Sequence, residues 1–99
     1  MTAIIVRHKV RDYDAWLPVF IEHGEVRRRY GGLAHQIYRL SDDPNDLIVV
    51  NLFNDLEGAR AFAADPSLPE AMHRGGVVNE PQEWFTEQAD VADYATALA

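Results

Sequence analysis

Two histidines stand at positions where the surrounding residues predict a hydrophobic core. His8 alternates with Ile4, Val6 and Val10 on one face of a predicted strand. His23 falls within an apolar arc of roughly 120° when the helix that contains it is drawn at about 100° per residue. Burying an imidazole without a partner costs about 1–3 kcal/mol, so a hydrogen bond, a water-filled cavity or a ligand must compensate for it.

We expect the two imidazoles to face one space between strand and helix, with Arg27 beside them. An imidazole titrates near neutral pH and can both take up and return a proton, so His23 is the candidate general base and His8 its partner. A nearby guanidinium would stabilise a developing enolate oxygen. Six further residues are predicted to bind substrate, as orienting groups or as apolar walls: Arg27, Tyr38, Asn51, Trp16, Phe20 and Trp84.

Two other interpretations of these histidines stay open. Both rings could be satisfied inside the core of a non-catalytic protein. With a carboxylate they would also have the ligand chemistry for a metal ion, but their spacing matches no metal-binding motif, and we expect no metal. The remaining pair is predicted to lie elsewhere: His35 at a subunit contact or at the rim, and His73 in solvent.

Composition restricts the classes of function. The 99 residues predict one domain, with a core over residues 3–87 and a tail over 88–99 that is either a short helix or a frayed end. A formal net charge of −7 argues against nucleic-acid binding, and the absence of cysteine excludes disulfides and thiol chemistry. Neither a membrane-spanning stretch nor a signal peptide is evident, so we expect a cytoplasmic protein that does not bind membranes.

The elements that position these side chains follow from alternation, capping and turn residues. Strands are predicted over residues 2–10, 33–40, 47–53 and 81–88, with a six-residue turn at 41–46 that favours an antiparallel hairpin. The first helix is capped by Asp12 or Asp14 and stops at the Gly31-Gly32 pair. The second helix is capped by Asn54 or Asp55, breaks before Pro66 and restarts at Ser67 as a new cap.

The order β-α-β-β-α-β predicts an α+β, ferredoxin-like fold, with a four-stranded antiparallel sheet and both helices on one face. The other face needs a covering if it carries apolar side chains. We expect an apolar patch of Ile5, Ile37, Val49 and Phe85 there, and a homodimer in which two such faces pack together.

The plan resembles the dimeric α/β-barrel superfamily, which includes antibiotic biosynthesis monooxygenase-like and small polyketide cyclase-like proteins. The resemblance lies in "DYDAWLPVFIEHGEVRRRYGG", "DLIVVNLFNDLEGARAFAADPSLPEAM" and "PQEWF". It implies a dimer packed sheet to sheet, with a small-molecule pocket between the sheet and the helices of each subunit.

The activity that the resemblance implies is that of a small cofactor-independent enzyme, monooxygenase-like, acting on an aromatic or polyketide-like compound. A cyclase or isomerase with a histidine base is the alternative, and a non-catalytic stress-response or ligand-binding protein is another. Haem-degrading relatives carry an asparagine, a tryptophan and an axial histidine. This chain has Arg7 or His8, Phe62 and Met72 at those positions, so the resemblance does not extend to haem degradation. We expect no cofactor.

Overall fold

Four strands form one antiparallel sheet in the described part of the chain, residues 1–97 of a computed structural model. The strands are β1 (Thr2–Lys9), β2 (Gly32–Leu40), β3 (Asp43–Phe53) and β4 (Gln82–Glu87), arranged as β2-β3-β1-β4. The helices are α1 (Tyr13–Glu22), α2 (Gly24–Arg29), α3 (Leu56–Ala63), α4 (Ser67–Arg74) and α5 (Tyr94–Ala97). This arrangement confirms the predicted α+β, ferredoxin-like fold.

The first predicted helix is divided in two at His23. Its start is as predicted, because the Asp12 carboxylate accepts a hydrogen bond from the Asp14 amide at 3.1 Å. His23 ends α1 and also precedes the first residue of α2, while its backbone stays right-handed helical. Gly24, a poor helix former, follows directly and explains the division. The predicted stop is confirmed at Gly31, whose φ is +90°.

The connection between β2 and β3 is shorter than predicted. β3 begins at Asp43, which leaves two residues in the turn instead of six. The Asn45 side chain accepts a hydrogen bond from the Tyr13 amide at 2.9 Å, and the Asn45 carbonyl accepts one from the Val10 amide at 2.9 Å. These contacts hold the polar start of β3 against the β1–α1 connection and extend the strand.

The caps of the second helical segment are partly as predicted. The Asp55 side chain accepts from the Gly58 amide at 2.8 Å, so Asp55 caps α3. The cap predicted at Ser67 is wrong, because Pro66 precedes the helix and Ser67 is its first residue. The Ser67 hydroxyl is therefore free to contact another element.

The register of the sheet decides which side chains face the helices. Val49 lies opposite both Val6 and Ile37, and Phe85 lies opposite Ile4, so all of these face the helices. The apolar patch predicted on the outer face is therefore wrong for Ile37, Val49 and Phe85. Its place is taken by a different set, which we call the outer patch: Ile5, Tyr38, Ile48, Val50, Leu52 and Trp84.

The core lies between the inner face of the sheet and the helices. Ile4, Val6 and Phe53 pack there against Val26 and Phe62. No helix within residues 1–97 has the length and apolarity needed to cross a membrane. Of the predicted tail over 88–99, the short-helix alternative is found at α5, and residues 98 and 99 lie outside the described part.

Candidate functional site

A cavity of about 60 Å³ lies between the sheet and the helices, and we call it the inner cavity. Its walls come from β1, β3 and β4 on one side and from α1 to α4 on the other. Six of the predicted site residues line it: His8, Trp16, Phe20, His23, Arg27 and Asn51. An apolar cavity that binds benzene measures about 150 Å³, so an aromatic ligand requires this space to widen.

The other two predicted site residues lie outside this cavity. Tyr38 is opposite Ile48 and is 53% exposed, and Trp84 is opposite Ile5 and is 48% exposed. Both side chains belong to the outer patch, so the prediction that they border the pocket is wrong. The cause is strand register, since a shift of one residue moves a side chain to the other face of the sheet.

His8 is buried without a hydrogen-bonding partner. Its ring is only 4% exposed and packs edge-on against the Trp16 ring, with centroids 5.8 Å apart. Within the described residues neither Nδ1 nor Nε2 has a hydrogen-bond partner. Burial lowers the pKa of His8 below its ordinary value, and the more distant charge of Asp46 opposes that shift. The ring is therefore neutral near pH 7 and has a free acceptor nitrogen.

His23 is held by a hydrogen bond, unlike His8. Its Nε2 lies 2.8 Å from the Ser67 hydroxyl oxygen, and its ring packs on Phe62 with centroids 5.7 Å apart. The Asp65 carboxylate accepts hydrogen bonds from the Tyr30 hydroxyl and from the Ser67 amide, and the contacts with Tyr30 and Ser67 lower the pKa of Asp65 to about 2. Burial, and then the charge of Arg27, lowers the pKa of His23.

The two histidines border one cavity, but no hydrogen bond joins their rings.

His8 lies opposite Leu47, whereas Asn51 lies opposite Ile4, four residues earlier along β1. At about 3.3 Å per residue, His8 and Asn51 are attached about 13 Å apart along the sheet. Asn51 is 6% exposed, and its Oδ1 also has no partner in the described part of the chain. The sheet side of the inner cavity therefore carries unsatisfied polar atoms at two separate positions.

Arg27 is a buried cation, 8% exposed, at the cavity wall. One guanidinium nitrogen donates to the Phe20 carbonyl at 2.6 Å, and the guanidinium carbon lies 3.8 Å from the centre of the Phe20 ring. Burial, and secondarily the charge of Arg28, lowers the pKa of Arg27 to about 10. The side chain thus remains protonated at neutral pH and is fixed in position.

Sequence patterns identified His8, His23 and Arg27, but not the groups that hold them. Ser67 is 44 positions from His23 in the chain, and only the folded structure brings the two together. His35 was expected at a subunit contact or the rim; its ring stacks edge-on against Phe20, with centroids 4.9 Å apart. His73 is exposed, as predicted. No group of three or more histidine, cysteine or acidic side chains within residues 1–97 is arranged to hold a metal ion.

Comparison with known proteins shows similarity only at the level of structure. No protein-family model matches this chain, and no curated protein sequence matches it. The cofactor-independent oxygenase SnoaB from Streptomyces nogalater has a TM-score of 0.67 at 17% identity, over 89% of this chain and 94% of its own. An antibiotic biosynthesis monooxygenase has a TM-score of 0.68 at 15% identity, over 91% of this chain and 100% of its own. This chain has the fold of the antibiotic biosynthesis monooxygenases.

A protein from Bordetella bronchiseptica that carries the same family name gives a TM-score of 0.72 at 12% identity, over 89% of this chain and 96% of its own. The shared fold thus covers most of each chain compared. One fold can host several chemistries, so the activity has to be argued from the side chains of this chain.

Proposed function

We propose that this protein is a cofactor-independent, monooxygenase-like enzyme that acts on a hydroxylated aromatic small molecule. The observation that carries the proposal is the set of buried polar atoms without partners, on His8 and Asn51, along one cavity. One substrate hydroxyl group would satisfy His8, and a second donor group of the same molecule would satisfy Oδ1 of Asn51, because the two residues are attached about 13 Å apart. The fold shared with SnoaB supports the general kind of reaction.

His8 is better suited than His23 to act as the general base. Both nitrogens of His8 are unpaired, whereas Nε2 of His23 is engaged with Ser67. Burial makes His8 a weaker base than a free histidine, while an ordinary phenol has a pKa near 10. The substrate must therefore be more acidic than a simple phenol, as a ring hydroxyl conjugated to a carbonyl is.

The proposed reaction balances without a cofactor. His8 removes the hydroxyl proton, and the resulting aryloxide is electron-rich enough to reduce dioxygen through its activated ring methylene. The methylene carbon forms a bond to one oxygen atom and becomes a carbonyl. The second oxygen atom leaves as water with the two hydrogens of that carbon. The carbon loses four electrons and dioxygen gains four.

Substrate binding requires the wall of the inner cavity to move. Phe20, Leu68 and Met72 line it and are only partly buried, so these side chains can rotate outward at modest cost. His8, Trp16 and Asn51 are nearly fully buried and provide the fixed part of the site. We expect α1 and α4 to separate slightly when a ring enters between them.

The first test is oxygen uptake. We expect the purified protein to consume one dioxygen for each carbonyl formed from a hydroxylated polycyclic aromatic that bears a ring methylene. The rate should be unchanged after dialysis against a chelator, because the substrate itself reduces the oxygen. An oxygen electrode and product mass spectrometry measure both quantities. Conversion without oxygen uptake would indicate a cyclase or isomerase instead, and binding without conversion would indicate a non-catalytic ligand-binding protein.

We also propose that the outer patch is the interface of a homodimer. Six apolar side chains share that face, while Arg7 and Asp46 are paired with each other there through bonds of 3.2 and 3.0 Å. A neutralised ion pair within an apolar face is compatible with burial. A second copy of the same face would remove Tyr38 and Trp84 from water.

A charge in the centre of the outer patch should separate the subunits. We expect Val50→Asp to sediment as a monomer of 11.2 kDa, whereas the wild-type protein sediments at twice that mass. Val78→Asp, the same change at a position 55% exposed outside the patch, should leave the dimer intact. The melting temperature of the wild type should rise with protein concentration. A monomeric wild type, or a dimeric Val50→Asp variant, would disprove this interface.

A further inference from the structure

A second cavity of about 260 Å³ lies beside the inner cavity, and we call it the lateral cavity. It is bounded by the end of α1, by α2, by the first residues of β2 and by the end of β3. Arg27 and Asn51 line both cavities, so these two side chains stand where the spaces meet. Arg28 and His35 line only the lateral cavity and are exposed, so it is open to solvent on their side.

Arg27 carries a buried charge that the protein itself does not neutralise. Within residues 1–97, no carboxylate oxygen lies within 4.0 Å of its guanidinium nitrogens, and its polar contact is the neutral Phe20 carbonyl. After burial, the positive charge of Arg28 is the other influence that lowers its pKa. A buried guanidinium without a counter-ion is costly, and guanidinium groups bind carboxylates through two parallel hydrogen bonds.

From these contacts we infer that the lateral cavity binds the carboxylate of an aromatic acid, with Arg27 as its counter-ion and Arg28 as a second cation. The unpaired Oδ1 of Asn51 is an independent sign of a ligand at this junction, since it can accept a hydrogen bond from a ring hydroxyl. The volume exceeds the roughly 150 Å³ that holds a benzene ring, so a ring bearing a carboxylate fits there. The nature of the reacting ring in this inference rests on the proposed function. The binding of its carboxylate rests on the buried charge of Arg27 alone.

The inference predicts that a negatively charged ligand binds more tightly than an uncharged one of the same shape. This difference can be measured without any reaction taking place. We expect naphthalene carboxylate to bind at least tenfold more tightly than naphthalene carboxamide, its uncharged isostere, in titration calorimetry. Arg27→Met should abolish that preference, because it replaces the cation with an apolar chain of similar length. Arg27→Lys should keep part of it. Arg29→Met, which removes an exposed cation on the same helix that lines neither cavity, should leave it unchanged.

Each outcome separates this inference from the proposed function. Binding of neither compound, equal binding of both, or a preference that survives in Arg27→Met overturns the acid site. If the carboxylate binds through Arg27 but no aromatic compound consumes oxygen, the acid site stands and the oxygenase proposal fails. If neutral aromatic compounds are oxidised and acids do not bind more tightly, the oxygenase proposal stands and the acid site is wrong.

Discussion

Replacing His8 with leucine is expected to abolish oxygenation and at the same time to stabilise the protein. A positioned general base contributes roughly 100-fold or more to a rate, so turnover should fall by at least that factor. The same change removes two buried ring nitrogens that have no partner in the described residues. Leaving such groups unsatisfied costs about 1–3 kcal/mol, so the free energy of unfolding should rise within that range. Initial rates and urea denaturation measure the two effects.

The opposite signs of these two effects make the result diagnostic. His73→Leu is the matched control, because His73 is exposed on α4 and lines neither cavity. It should leave the rate unchanged and shift the unfolding free energy by less than about 0.5 kcal/mol. If His8→Leu lowers stability and keeps its rate, His8 is a core residue with no catalytic part, and the mechanism proposed above is wrong.

The same variant should change the response of stability to pH. An unfolded histidine titrates near pH 6.5, whereas burial holds the pKa of His8 in the folded protein below that value. Between the two pKa values the unfolded chain binds more protons than the folded protein does. The contribution of His8 to the free energy of unfolding is therefore fully present above pH 6.5 and is lost as the pH falls toward the pKa of His8 in the folded protein. His8→Leu should reduce this loss. Part of it should remain, because burial also lowers the pKa of His23.

The fold could be predicted from the sequence because the residues that mark the ends of its elements act locally. Aspartate caps at Asp12 and Asp55 and the glycine stop at Gly31 mark helix ends by backbone chemistry that needs no distant partner. The face of each strand was less accessible. Residues 47–53 of β3 are apolar at every position except Asn51, so alternation does not show which face is buried, and Val49 was placed on the outer face although it is 2% exposed.

The site was accessible in part for the same reason. The helical period brought His23 and Arg27 to the buried face, and strand alternation did the same for His8. Neither the helical period nor strand alternation determines the position of one element along another. The offset between His8 and Asn51, and the contact of His23 with Ser67, depend on register and on chain segments 44 positions apart. That is why the two histidines were expected to pair and do not.

Gly58→Ala should be strongly destabilising, although alanine usually stabilises a helix by about 1 kcal/mol relative to glycine. A Cβ atom at Gly58 would overlap the backbone carbonyl oxygen of Tyr30, far inside van der Waals contact. The Tyr30 carbonyl cannot move easily, because the next residue, Gly31, accepts a backbone hydrogen bond from Asn54 at 3.0 Å. Such overpacking costs about 1–3 kcal/mol, and thermal and urea denaturation should show a loss of that size.

Gly24→Ala provides the matched control for that substitution. The nearest atom to a Cβ at Gly24 is a guanidinium nitrogen of Arg27 at 3.3 Å, which has to shift by only a few tenths of an ångström, so any loss of stability should be well below that of Gly58→Ala. The Gly58 variant should also affect the site, because α3 must move away from Tyr30 and carries Phe62 with it. Phe62 lines the inner cavity and packs on His23. An unchanged unfolding free energy in Gly58→Ala would mean that α3 does not approach the Tyr30 carbonyl as closely as described.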